Sequence, residues 1–286
     1  MAVSLITITK LLTSAGLIAT MLAIGLKVRW SEVVSSARQT QLVVCGIVAN
    51  FVLVPAATVG LLWLFNPDPM VAAGFLVLAV CPGAPVGPLF AGIAKSDVPS
   101  AIGLMVILAG LSAVLSPFLL AALLGLIGPQ SDLRVDYFAI VQSLVVTQIL
   151  PLAIGLGTHE RAPHFANRTA KPLNFVANLL LMVVVVLLLA TQWEALQSIG
   201  VRGWAGMLLL LAASLAIGWI CGGPRQATRA TLALTTGARN AAVGLVIVAT
   251  SFAETAAGTA VVAYALVSIF GTLGCAFIYG RRPHTS

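Results

Sequence analysis

Charge is what this sequence has least of. Of 286 residues, 15 are Lys or Arg and 8 are Asp or Glu, 8% against about 25% in a soluble domain. So few charges cannot clothe a 29.5 kDa globule. That argues against a cytosolic enzyme, a secreted domain or a nucleic-acid binder. Cysteine is also sparse. Cys45, Cys81, Cys221 and Cys275 all lie in apolar runs without metal-ligand spacing, and read as small buried apolar residues. There is no nucleophile beside a base, no pair of carboxylates, no phosphate-cradling Gly-x-x-x-x-Gly-Lys and no zinc motif. His159 and His164 stand in a polar stretch with no third ligand nearby. The chain therefore reads as neither an enzyme nor a nucleotide-driven pump, and it implies no cofactor.

What is present is apolar. Hydrophobic residues make up 60%, and mean hydropathy is +1.08. The runs are long enough to cross a bilayer, which takes about 20 residues. Leu180 to Ala190 is unbroken, which points to helices rather than alternating barrel strands. Polar breaks leave nine apolar segments: 5–26, 39–65, 70–94, 98–127, 137–157, 171–191, 203–221, 228–251 and 256–279. With the N-terminus outside, the inner stretches carry eleven basic residues: Lys27, Arg29, Arg38, Lys95, Arg161, Arg168, Lys171, Arg225, Arg229, Arg281 and Arg282. The outer side carries three, Lys10, Arg134 and Arg202, together with Asp68, Asp132, Asp136, Glu194 and Glu254. This asymmetry follows the positive-inside rule and predicts an all-α polytopic protein of nine spans with its C-terminus in the cytoplasm. Trp30, Trp63, Trp193, Trp204 and Trp219 fall near span ends, as interfacial anchors do.

The fifteenth basic residue, Arg239, falls inside the eighth segment, among Thr235, Thr236, Gly237 and Asn240. It lies ten residues beyond Arg229, about 15 Å along a helix, so it should face protein or water rather than lipid. A second interruption, residues 81–88, holds Pro82, Gly83, Ala84, Pro85, Gly87 and Pro88, a run that cannot continue a regular helix. In a nine-span chain the two broken spans run in opposite directions. That predicts an inverted repeat: residues 1–127 with four spans and a break at 81–88, and 128–286 with five spans and a break at 235–240. The repeats would intertwine in one transmembrane domain whose breaks meet at a central site. Asn50 either bonds a neighbouring helix or lines that site. Asn174 and Asn178 share one helix face, and Gln142, Thr147 and Gln148 fall in the fifth segment.

The stretch Phe75–Asp97, FLVLAVCPGAPVGPLFAGIAKSD, and the stretch Thr235–Gly244, TTGARNAAVG, together resemble the bile acid:sodium symporter family. The early MLAIGLKVRWSEV and IVANFVLVPA fit it too. The resemblance implies a core and a panel domain, two crossing broken helices, residence in a bacterial inner membrane and transport of organic anions. It also implies sodium. Here the departures matter, because the family's sodium positions read Gly87, Pro88, Ala101, Met105, Thr235 and Arg239, and its glutamine in an earlier span reads Asn50. The retained Asn240 and the cation Arg239 point to an anionic substrate, a carboxylate or sterol-like acid. It would be held by Arg239, Asn240, Thr235, Thr236 and Asn50 with Gly83, Ala84, Pro85, Gly87 and Pro88 of the other break. Sodium coupling is disfavoured. Rival readings are a proton-coupled or facilitative carrier of another metabolite or oxyanion, a non-transporting sensor or scaffold, and a channel.

Overall fold

The computed structural model describes residues 2–126, 136–197, 199–252 and 255–281, with side chains from Thr7 onward. The charges Asp132, Arg134, Glu254 and Arg282 lie outside the described residues. Every regular element among the described residues is helical: α1 (Ala2–Lys27), α2 (Trp30–Arg38), α3 (Thr40–Phe65), α4 (Pro69–Ala79), α5 (Gly87–Ile93), α6 (Val98–Leu124), α7 (Tyr137–Arg161), α8 (Pro163–Thr191), α9 (Trp193–Gln197), α10 (Val201–Cys221), α11 (Gln226–Gly237), α12 (Ala241–Ser251) and α13 (Ala256–Arg281). Counting Gln226–Ser251 as one, eight are long and apolar enough to cross a membrane, and α4 is a shorter apolar helix.

Local chemistry explains the boundaries. Asp68, Asp97 and Asp136 each cap a helix, their carboxylates accepting from the backbone N–H of Met70, Ser100 and Ala139. Pro69, Pro99 and Pro163 occupy first-turn positions, where a missing N–H does no harm. α3 and α7 each widen into a π turn, at Ala49–Leu53 and Val145–Ile149, just before Pro55 and Pro151. Each proline withholds the N–H its preceding turn needs, and the π turn absorbs the mismatch.

Two of the charged stretches between the apolar segments are helical. The stretch 158–171 is interrupted only at Ala162 (φ −139°, ψ 64°), and Arg168 and Lys171 continue α8. Residues 30–38 form α2. Their charges stay exposed on short helical turns, so helix and hydration do not compete. His159 is not a free loop residue either. It is buried, and its ring donates from Nδ1 to the Leu26 carbonyl at 2.7 Å, closing the end of α1.

α1 packs along α8 and α7. Gly25 and Gly155 make that crossing close: a Cβ on Gly155 would stand 2.6 Å from the Leu22 carbonyl oxygen. α8 is the most lipid-exposed span, with 11% of its most apolar stretch buried, whereas the Gln226–Ser251 stretch is 89% buried. α11 is wrapped by α10, α5, α6 and α13, and α4 lies along α13. The apolar periphery is what lipid contact requires, and the enclosed stretch is the one that carries Arg239.

Candidate functional site: two helix breaks bonded to each other

The first break runs from Val80 to Val86. α4 ends as Val80 leaves the helix (ψ 3°), and α5 begins at Gly87, so Gly87 and Pro88 form its first turn. Gly83 turns the chain at φ +79°, a conformation that suits glycine. The second break is shorter than the sequence suggests. Thr235, Thr236 and Gly237 are still helical, because Ala238 N–H closes on the Leu234 carbonyl at 3.1 Å; only Ala238 to Asn240 depart. Asn240 then caps α12 through its side-chain oxygen, which accepts from Val243 N–H at 3.3 Å.

The breaks satisfy each other. Asn240 N–H donates to the Cys81 carbonyl at 2.9 Å, and its side-chain amide donates to the Gly83 carbonyl at 3.3 Å. Arg239 donates from one terminal nitrogen to the Ala79 carbonyl at 3.3 Å. Ser116 takes the Val80 carbonyl. The carbonyls freed at Ala79, Val80, Cys81 and Gly83 are therefore all occupied by protein donors. Ser268 braces the second break, accepting from Arg239 N–H at 3.1 Å and donating to the Gly237 carbonyl at 2.8 Å.

Around this crossing the remaining site residues divide into separate contacts. Thr235 stands against Gly87, where an added Cβ would lie 3.2 Å from the Thr235 methyl group. The Thr235 hydroxyl donates back to the Thr231 carbonyl at 2.9 Å. Asn50 is fully buried and bonds Thr236 Oγ1 at 3.2 Å, so it ties α3 to α11, while its own carbonyl oxygen has no partner. Ala84 is buried; Pro85 and Pro88 are half-buried. Ala101 and Met105 are buried. Of the six positions Gly87, Pro88, Ala101, Met105, Thr235 and Arg239, Thr235 alone carries a side-chain oxygen. The π turns went unread in the sequence. Asn50 is in one, and Gln148 in the other reaches across to Ala109 and Ser112.

Arg239 is 1% exposed. Its Nε and second terminal nitrogen have no hydrogen-bond partner. Among the described residues its ionisable neighbours are Cys81 and Tyr264, with no carboxylate beside it. Tyr264, on α13, was silent in the sequence because it sits in an apolar run.

A transmembrane helical bundle with two interrupted helices hydrogen-bonded at their breaks, and an ionisable side chain enclosed there, is an arrangement that occurs in membrane transporters. A profile of the sodium bile acid symporter family matches residues 14–199, and the chain belongs to that family. Its members are membrane transporters of the bile acid and organic anion type. The match stops short of α11 and of the break that follows it, which hold Thr235 and Arg239. No curated protein matches the chain.

Proposed function

We propose that the protein is a secondary carrier of an organic anion that works by alternating access and is not coupled to sodium. The observation that carries this reading is Arg239: a guanidinium enclosed at the crossing, with two nitrogens unpartnered. A fixed positive charge there favours an anion in the membrane interior and disfavours a cation. Counting α4 and α5 as halves of one interrupted span gives nine, the N-terminus outside and the C-terminus in the cytoplasm. Residues 1–127 and 128–286 act as inverted repeats intertwined in one domain. α1, α7 and α8 form the panel and the remaining spans form the core, placed in a bacterial inner membrane.

The donor set does not fit sodium. Sodium asks for several oxygens and preferably a carboxylate. Five of the six corresponding side chains offer none, the freed carbonyls of the first break are taken, and Arg239 would repel the ion. Arg239 supplies in fixed form the positive charge that a bound sodium would bring. The substrate is a carboxylate or sterol-like anion, with Arg239, Asn240, Thr235, Thr236, Asn50 and the Gly83–Pro88 turn around it.

Counterflow in proteoliposomes across a panel of organic acids tests the reading. Replacing sodium by choline should change the initial rate by less than about twofold, since an ion without a site has a coupling factor near unity. Steep sodium stimulation would overturn it.

A further inference from the structure

We infer that Arg239, Tyr264 and Ser214 form a closed binding site for a small monovalent anion, reached from a cavity at the Asn66 end of the bundle. The inference rests on the anion reading of Arg239 and adds two residues and a route to it.

Three helices place the site. A cavity of about 360 Å³ lies between α3, α4, α10 and α13, with Phe75, Leu210 and Ala260 among its lining residues. One turn further along those same three helices come Ala79, Ser214 and Tyr264. Ala79 is the carbonyl that holds Arg239. Phe75 packs on the Tyr264 ring, 5.7 Å between centroids, and is the partition between cavity and charge. Arg202 lines the cavity and is exposed.

Behind the partition is a set of buried polar groups whose hydrogen-bonding capacity is unmet. Tyr264 and Ser214 are fully buried, their hydroxyls lie within reach of one another, and neither makes a hydrogen bond to a third group. Arg239 Nε and one terminal nitrogen have no hydrogen-bond partner. Buried polar groups are nearly always satisfied, so two guanidinium nitrogens without an acceptor, with two hydroxyls nearby that can bond only each other, mark a missing acceptor. A water would satisfy hydrogen bonds but leave the charge uncompensated. The carbonyl end of α4 faces the guanidinium but supplies only about half a charge. A monoanion supplies both the charge and the acceptor lone pairs. Two sources share that chemistry: a halide held as a resident counter-ion, and the carboxylate of the carried substrate with its apolar remainder in the cavity.

Thermal unfolding of the full chain in zwitterionic lipid nanodiscs tests this at constant ionic strength. Gluconate, too bulky and hydrated for the site, serves as reference against chloride, bromide and hexanoate. At about a hundredfold excess over Kd the midpoint should rise by roughly 5–10 °C. The rise should vanish in Arg239→Gln and shrink at least tenfold in apparent affinity in the Tyr264→Phe, Ser214→Ala double variant. A rise with chloride and bromide identifies a counter-ion, and bromide is then visible by anomalous scattering. A rise with hexanoate alone identifies the substrate's carboxylate. No anion-specific rise, or one that survives in the double variant, overturns the site. If the double variant carries organic anions normally while Arg239→Gln carries none, the site fails and the carrier reading stands. If Arg239→Gln carries them normally, both fail.

Discussion

Arg239→Gln should reduce organic-anion counterflow to that of empty liposomes and, at the same time, raise the protein's thermal midpoint. The two effects have one cause. The side chain is 1% exposed, two of its nitrogens lack partners, and no carboxylate among the described residues answers its charge. Removing two hydrogen bonds to a charged ligand, at about 1.5–3 kcal/mol each, weakens anion binding by roughly two to four orders of magnitude. Removing an uncompensated buried charge stabilises the fold, by about 1–4 kcal/mol where a neutral side chain of similar volume fills the space. Glutamine can still donate toward the Ala79 carbonyl, so the crossing keeps its brace. Arg239→Lys should fall between the two: it keeps the charge and loses the planar fork. Counterflow and differential scanning fluorimetry on the same preparations decide the matter. Retained flux with a lowered midpoint would mean that the guanidinium only fastens α12 to the end of α4.

Gly83→Ala should abolish folding. Gly83 has φ +79°, and a Cβ there would stand 2.5 Å from Ala109 N and 2.8 Å from Ala109 Cα. Both are backbone atoms in the middle of α6, so no side chain can move aside. Its carbonyl also receives the Asn240 amide, so a shift of the turn would unfasten the second break. The expected loss exceeds about 4 kcal/mol, the range reached when strain and a backbone clash act together. Size-exclusion chromatography should show aggregate in place of a monodisperse peak. Gly60→Ala is the control. It is a helical glycine with nothing within 4 Å of its missing Cβ, and it should be neutral or slightly stabilising. A monodisperse Gly83→Ala protein with wild-type stability would refute the tight crossing of α6 under the first break.

The extent to which the sequence announced this site differs residue by residue. The Pro82–Pro88 run showed the first break because proline withholds an N–H and glycine tolerates positive φ, effects that act within a turn. Arg239 announced the second because charge in an apolar segment is costly wherever the chain goes. The expected extent of that break was too wide, since the Thr235 hydroxyl bonds to carbonyls within its own helix and leaves the helical ladder intact. Tyr264, Ser214 and Ser268 gave no signal at all. Each is one polar group in a long apolar helix, and nothing local separates a hydroxyl that bonds its own helix from one that faces a buried cation.

The sequence by itself determined that this is a helical membrane protein, where its charges ring the span ends, and which two spans must break. Those properties follow from transfer free energies and backbone donors, and both are local. Only the tertiary structure decided that the breaks satisfy each other's backbone groups and that Arg239 meets carbonyl and hydroxyl groups in place of a carboxylate. The bonds between the two breaks join residues about 160 positions apart. They depend on how the helices pack, which no periodicity along the chain records.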